Sequence, residues 1–269
     1  MTNTSKLGTA LVTGASSGIG ATYAEKLAKR GYDLVLVARD ADRLKALAGR
    51  LASEHGIKAD VLRADLSQRA DVVVVDKRLR EDDSITLFVN NAGIGPKGPL
   101  LKADPDYLDQ MVDLNVTAAN RLAVVAAQAF AARGKGAIVN IASAVALAAE
   151  FFSGTYAASK AFVLALTEAL ASELKDTGVT IQAVLPGYTR TEIFDRVGGS
   201  MDGLDPNTVM EVGDLVDAAL AGLDRGELVT MPSLADTQLY DTYTAARGQL
   251  RPYLSLNKPA ARYGVAAKA

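Results

Sequence analysis

The sequence predicts a single-domain α/β fold over residues 1–269, a doubly wound sheet of seven parallel strands with helices on both faces. Three observations predict it. Short Val-, Leu- and Ile-rich runs alternate with longer segments of helical periodicity at a regular beat, the pattern of repeated βαβ units. A glycine-rich turn, "TGASSGIG" at 13–20, lies between the first strand-like run and the first helix-like one. The composition is 49% hydrophobic but only 6% aromatic, without Trp, which suits aliphatic helices laid on a buried sheet.

Each element has its own signal. "TALVTG" (9–14) opens the sheet, and Ile19, Tyr23, Leu27 and Ala28 recur at helical spacing until Gly31. "DLVLVA" (33–38) is the second strand, and Leu44, Leu47 and Leu51 mark one face of a helix over 40–55. "KADVLRAD" (58–65) follows as the third strand. "DVVVVDKRLR" (71–80) has the Val content of a strand, yet it falls where the alternation needs a crossover helix, and it is assigned as helix. "ITLFVNNAG" (85–93), "GAIVNIAS" (136–143), "VTIQAVLPG" (179–187) and "GELVTMP" (226–232) complete the seven strands. Helices near 105–132 and 155–174 join the fourth, fifth and sixth of them.

Composition also sets exclusions. A net charge of −2 with no Lys/Arg-rich run argues against a nucleic-acid partner or an anionic membrane surface. No cysteine means no disulfide, thiolate metal site or cysteine nucleophile, and no metal site is expected. The single histidine, His55 in "ASEHGI", is expected in the last turn of a helix, where a cation suits the free carbonyls. No leader-like stretch opens the chain, and no apolar run reaches the ~18 residues of a membrane span, so a soluble, cytoplasmic protein is expected.

"SGTYAASK" (153–160) places Tyr156 and Lys160 four residues apart, one helical turn, within reach of each other. A lysine beside a tyrosine favours the phenolate, so a lowered tyrosine pKa is expected. In "TGASSGIG", Gly14, Gly18 and Gly20 permit a tight turn, and the N–H groups of Ser16, Ser17 and Ile19 at a helix start suit a pyrophosphate. The spacing is G-x-x-x-G-x-G rather than the commoner G-x-G-x-x-G.

With "NNAG" (90–93), Asn115 in "LNV", Ser143, "YAASK" (156–160) and "PG" (186–187), the chain resembles the short-chain dehydrogenase/reductase family in its short single-domain, Rossmann-type branch. The resemblance runs over roughly residues 8–232. It implies that Tyr156 is the general acid for carbonyl reduction, with Lys160 tuning it and binding the nicotinamide ribose. It implies that Ser143 hydrogen-bonds the substrate oxygen and that Asn115 holds a water in a proton relay. It further implies cofactor contacts from Asp65 and Leu66 to the adenine, from Asn91, Ala92 and Gly93, and from Pro186 and Gly187 beside the nicotinamide. Thr191 matches the threonine that bonds the carboxamide, with Thr189 as its competitor. Asp65 has an alternative as a helix N-cap.

Cofactor choice turns on the end of the second strand. NAD-dependent relatives carry an acid there; this chain has Ala38 and then Arg39, which suits a 2′-phosphate, so NADP(H) is favoured and NAD(H) is the alternative. The candidate lid, 188–212, carries Tyr188, Ile193, Phe194, Val197, Met201 and Met210, with Arg190 and Arg196 as its basic groups and Gly198, Gly199 and Gly203 to let it move. "AVALAAEFF" (144–152) adds small and aromatic groups. An uncharged, fairly apolar ketone or aldehyde, or the matching secondary alcohol, is the expected substrate. The other readings are an NAD-dependent alcohol or hydroxysteroid-type dehydrogenase, a nucleotide-sugar epimerase, and a non-catalytic dinucleotide-binding regulator. A homodimer through the helices near 105–132 and 155–174 is expected, with a tetramer as the alternative. The extension 233–269 is expected to hold a helix through Leu234, Leu239, Tyr243 and Ala246, folded over the substrate side or a subunit edge.

Overall fold

A computed structural model describes residues 7–151, 154–193 and 203–265. The lid positions Phe194, Arg196, Val197, Gly198, Gly199 and Met201 lie outside the described residues. Contacts group the chain into two compact units, Met1–Pro232 and Ser233–Ala269.

In the first unit the strands are β1 (Thr9–Thr13), β2 (Asp33–Ala38), β3 (Ala59–Arg63), β4 (Ile85–Asn90), β5 (Gly136–Ile141), β6 (Val179–Val184) and the two-residue β9 (Val229–Thr230). They form one seven-stranded sheet in the order β3-β2-β1-β4-β5-β6-β9, every pair parallel. The crossover elements are α1 (Gly18–Arg30), α2 (Ala41–His55), α3 (Arg69–Glu81), α4 (Pro105–Val112) with α5 (Ala119–Arg133), α6 (Gly154–Glu173) and α7 (Val212–Asp224). The predicted fold class is the observed one. The exception in detail is a second sheet of two short parallel strands, β7 (Thr189–Arg190) and β8 (Met210–Glu211), which the sequence pattern gives no sign of.

Burial explains the layers. β1 is buried along its whole length, as expected of a central parallel strand covered on both faces. Tyr23, Leu27, Leu44, Leu51, Leu215 and Leu220 pack one side of the sheet; Val75, Leu79, Leu122, Phe130, Leu170 and Leu174 pack the other. The Val-rich segment folds as α3 because its apolar residues fit a helical stripe. Val72, Val75 and Leu79 are buried, while Val73 and Val74 face outward. Asp76 lies on the buried side of α3 and is held by Arg80 at 2.6 Å and by Arg121 of α5 at 2.6 Å. His55 sits in the last turn of α2.

The helix predicted near 105–132 is interrupted by a π-helical segment, Asp113–Ala118, which carries Asn115. Such an insertion shifts the side chains that follow and is frequent at functional sites. In the second unit, α8 (Gln238–Gly248) carries Leu239, Tyr243 and Ala246 of the predicted helix, but it starts after Thr237 and leaves Leu234 outside it, and none of its residues is buried.

Candidate active site

Because all strands of the main sheet run parallel, their carboxyl ends share one edge. The turns after β1, β2, β3, β4, β5 and β6 therefore bring Gly14, Arg39, Asp65, Asn91, Ser143 and Pro186 to that edge. The strand order reverses between β1 and β4, the point at which open sheets of this kind form a crevice outside the strand ends.

The glycine turn is built for close approach. Gly14 has φ 66° and Gly18 φ 52°, values that the Cβ of any other residue disfavours. A Cβ on Gly20 would collide with the Gly14 carbonyl, so α1 begins hard against the end of β1. Ser16, Ser17 and Ile19 lie in the same turn and first helical residues, so this helix start offers backbone N–H groups at the same edge. Asn91 ties the turn to β4: its Nδ2 donates to the Thr13 carbonyl at 2.8 Å. The N–H groups of Asn91 and Ala92 donate to Thr13 Oγ1 at 2.9 and 3.1 Å, and that hydroxyl donates to Val89 O. Thr13 escaped sequence reasoning because a threonine ending a strand is ordinary.

At the adenosine end, Ala38 is buried and Arg39 is exposed, with no ion pair from it among the described residues. Asp65 does not cap α3, whose N-cap is Gln68. Its carboxylate instead accepts from the Ser67 N–H and hydroxyl at 3.1 and 2.8 Å, holding a turn, while Leu66 is buried in the core. Asp40 caps α2 by accepting from Arg43 N. Arg43 in turn pairs with Glu192 at 2.9 Å, linking α2 to the segment after β7 across 149 residues of sequence.

Thr189 and Thr191 are placed differently. Thr189 is buried and donates to the Gly187 carbonyl at 3.1 Å. Thr191 lies beside Gly18, 3.4 Å from where that residue's Cβ would be. Only Thr191 therefore lies against the glycine turn. The two ends of the candidate lid pair as β7 and β8, reinforced by Arg190 to Glu211 at 2.7 Å.

The predicted catalytic set converges. Lys160 is only 6% exposed, and its Nζ donates to Ile141 O at 2.9 Å and stands 5.8 Å from the Tyr156 ring centroid. Asn115 is buried: Oδ1 accepts from Ile94 N, and Nδ2 donates to Ile94 O at 2.9 Å and to Ser159 Oγ at 3.2 Å. Ser159 Oγ donates in turn to the Tyr156 carbonyl at 2.7 Å. A Cβ on Gly93 would sit 3.1 Å from Asn115 Oδ1 and 3.6 Å from Lys160 Nζ, so a glycine there lets three groups meet. Ser143 Oγ donates to Pro186 O at 3.3 Å and accepts from Val145 N. Its hydroxyl also lies close enough to the Tyr156 phenol to favour the phenolate.

The electrostatics differ from the simple pair expected from the sequence. Burial lowers Lys160 to about 8. Burial also raises the Tyr156 phenol, and the Ser143 hydroxyl opposes this only in part. The expected lowering of the tyrosine by its lysine is thus corrected. Dehydration acts on both groups, and it disfavours the phenolate more than the Ser143 hydroxyl favours it. At neutral pH the site holds a protonated phenol beside a buried ammonium. Ser159, Ile94 and the Arg43–Glu192 pair were missed by sequence reasoning. Of these, only Ser159, inside "YAASK", lay within a recognised motif.

Among the described residues no group of three or more metal-ligating side chains occurs, and no helix is long and apolar enough to cross a membrane. The model of the short chain dehydrogenase family matches residues 8–201. A very-long-chain 3-oxoacyl-CoA reductase of Anas platyrhynchos is 34% identical over 203 residues, 74% of this chain; the chain spans 65% of that relative's length. A solved short-chain dehydrogenase from Sphingobium yanoikuyae in complex with NADPH is 49% identical with a TM-score of 0.92, covering 96% of this chain and all of the other. The bulky-bulky ketone specific alcohol dehydrogenase from Comamonas testosteroni is 47% identical with a TM-score of 0.88, covering 96% of this chain and 98% of the other. Both structural likenesses run past Pro232 into the second unit, where the family model does not reach. The chain belongs to the short-chain dehydrogenase/reductase family of oxidoreductases.

Proposed function

We propose that the protein reduces an uncharged, fairly apolar and bulky ketone with NADPH, and oxidises the matching secondary alcohol in reverse. The observation that carries this reading is the half-buried Tyr156 with the Ser143 hydroxyl beside its phenol, the buried Lys160 ammonium 5.8 Å from its ring and Asn115 bonded to Ser159 behind it. A nicotinamide dinucleotide, when bound, supplies the hydride. Ser143 hydrogen-bonds the substrate oxygen, and Tyr156 passes its phenolic proton to that oxygen as the carbonyl carbon is reduced. The phenolate left behind is stabilised by the Lys160 ammonium and the Ser143 hydroxyl. Asn115 has its side chain committed to Ile94 and Ser159, so it contributes by holding this corner rigid and through its main chain. Tyr156→Phe is expected to lower kcat by roughly 10²–10⁴-fold, the usual worth of a positioned acid, with the NADPH dissociation constant near wild type. Retained turnover would remove Tyr156 from the mechanism.

The NADPH assignment is supported by Ala38 and the exposed Arg39, and by the NADPH of the Sphingobium structure. The substrate class is supported by the ketone named for the Comamonas enzyme and by the apolar lid residues Tyr188, Ile193 and Met210. A bond from Arg39 to a 2′-phosphate is worth about 1.5–3 kcal/mol, a preference of roughly 10–150-fold over NADH. Replacing Ala38 with Asp and Arg39 with Gln together is expected to reverse it. Equal kcat/KM for NADPH and NADH in the parent enzyme would refute the assignment.

The lysine carries a stability signature. Its folded pKa, about 8, lies below its unfolded value, so between the two the unfolded chain binds more protons and stability rises with pH. Below pH 8 the cost of burying the charge is complete. Lys160→Met is therefore expected to be more stable than the parent at pH 7, by about 1–2 kcal/mol, with the gain fading towards pH 10. Urea unfolding at the two pH values checks this; equal destabilisation at both would contradict it.

Two copies pair through α4–α5 and α6. Ala158, Phe162, Ala165 and Ala169 form an exposed stripe of α6 at helical spacing, opposite the face that buries Val163, Leu164 and Leu170. Val112 of α4 is also exposed. Light scattering at micromolar concentration should give at least the dimer mass, and a monomer would count against the pairing.

A further inference from the structure

We propose that Asn140 and Thr167 are positioning residues that set the register of α6 on the sheet, and with it the placement of Tyr156 and Lys160 against Ser143. The proposal rests on the catalytic reading of Tyr156 and Lys160. Asn140 and Thr167 are both 0% exposed in the middle of the molecule, where an unpaired polar group is costly. Asn140 Nδ2 donates to Thr167 Oγ1 at 3.0 Å, and that hydroxyl donates to Val163 O at 2.8 Å, so its single proton is committed. Asn140 Oδ1 accepts from Asn90 Nδ2 at 3.0 Å, and Asn90 Nδ2 also donates to Ala119 O at 2.9 Å.

This buried chain joins four elements that carry the site. Asn90 begins "NNAG"; Ala119 opens α5 directly after the π segment of Asn115; Asn140 precedes the Ile141 carbonyl that receives Lys160; Thr167 follows Lys160 by two helical turns on one face. β5 thus grips α6 at two points seven residues apart, Asn140 to Thr167 and Ile141 to Lys160. Val163, Leu164 and Leu170 of α6 are buried as well, and the hydrophobic contact they supply is non-directional. A slip of one residue along a helix is 1.5 Å, enough to separate a phenol from its serine. Directional bonds hold that slip at zero.

The test compares Thr167→Val, Thr167→Ser and the double variant Asn140→Leu/Thr167→Val, with Tyr156→Phe as reference. For each, kcat and its pH profile with a ketone, NADPH affinity by fluorescence, and urea stability are measured. Thr167→Val is expected to lower kcat by ~10–100-fold, the effect of about an ångström of misplacement, and to move the tyrosine limb of the pH profile. Thr167→Ser should restore both to within about 2-fold, because it keeps the hydroxyl. The double variant removes both partners of the Asn140–Thr167 bond and leaves one Asn90 N–H without its acceptor, so stability should recover only in part from that of Thr167→Val, while kcat and the pH limb stay displaced. A double variant with parental kcat and pH profile would overturn the proposal and leave the pair a structural contact only. Inactive Tyr156→Phe together with unaffected Thr167 variants sinks the positioning role alone, whereas active Tyr156→Phe sinks the catalytic reading and this proposal with it.

Discussion

The site depends on how the chain closes the junction between β1 and β4. These strands are neighbours in the sheet but lead to crossovers in opposite directions, so their ends splay and expose backbone groups. Thr13 closes the gap by taking two N–H groups, those of Asn91 and Ala92, on one hydroxyl, while Asn91 returns a bond to the Thr13 carbonyl. With those groups satisfied, the glycine turn is held tight enough for α1 to start against Gly14. The strand ends that carry Ser143 and Pro186 and the helix that carries Tyr156 are placed relative to that turn by the parallel sheet itself.

Dehydration does the chemical tuning. The same burial that keeps the phenol protonated disfavours the lysine's charge, so the site stores an unfavourable arrangement that the apolar layers on both sides of the sheet must outweigh. Surface electrostatics play a smaller part. The Arg43–Glu192 pair is about half exposed, where such pairs are typically worth only about 0.2–1 kcal/mol. Its interest is positional: together with Thr191 at Gly18 it lays the start of the lid across the glycine turn.

Much of the fold was legible because its signals were periodic or compositional. The alternation gave the sheet, and topology overrode the Val-rich run of α3 correctly, since Val72, Val75 and Leu79 share a face. The site was legible where function demands an unusual residue, as in the glycine turn and the Tyr156–Lys160 spacing. What escaped had no local signature. The π segment alters the helical phase at Asn115 without altering residue types, and β7 and β8 are too short for any period. Arg43–Glu192 and Asn140–Thr167 are ordinary residues far apart in sequence, joined only by folding. The direction of the Tyr156 shift was misjudged for the same reason: spacing shows which groups are neighbours, and burial decides their pKa.

β7 and β8 stand at the two ends of the candidate lid, and the Arg190–Glu211 pair ties them across their register. A surface connection held at its ends can vary in sequence while the scaffold beneath it stays the same, which is how one fold serves many substrates. Lys160 and Ser143, by contrast, are carried on a helix and a strand end and held by buried hydrogen bonds. Under the proposed function, a substrate change in this scaffold therefore maps to the candidate lid and leaves Tyr156, Lys160 and Ser143 where they are. Under the proposed positioning role, a change to the buried polar chain alters the rate for every substrate alike.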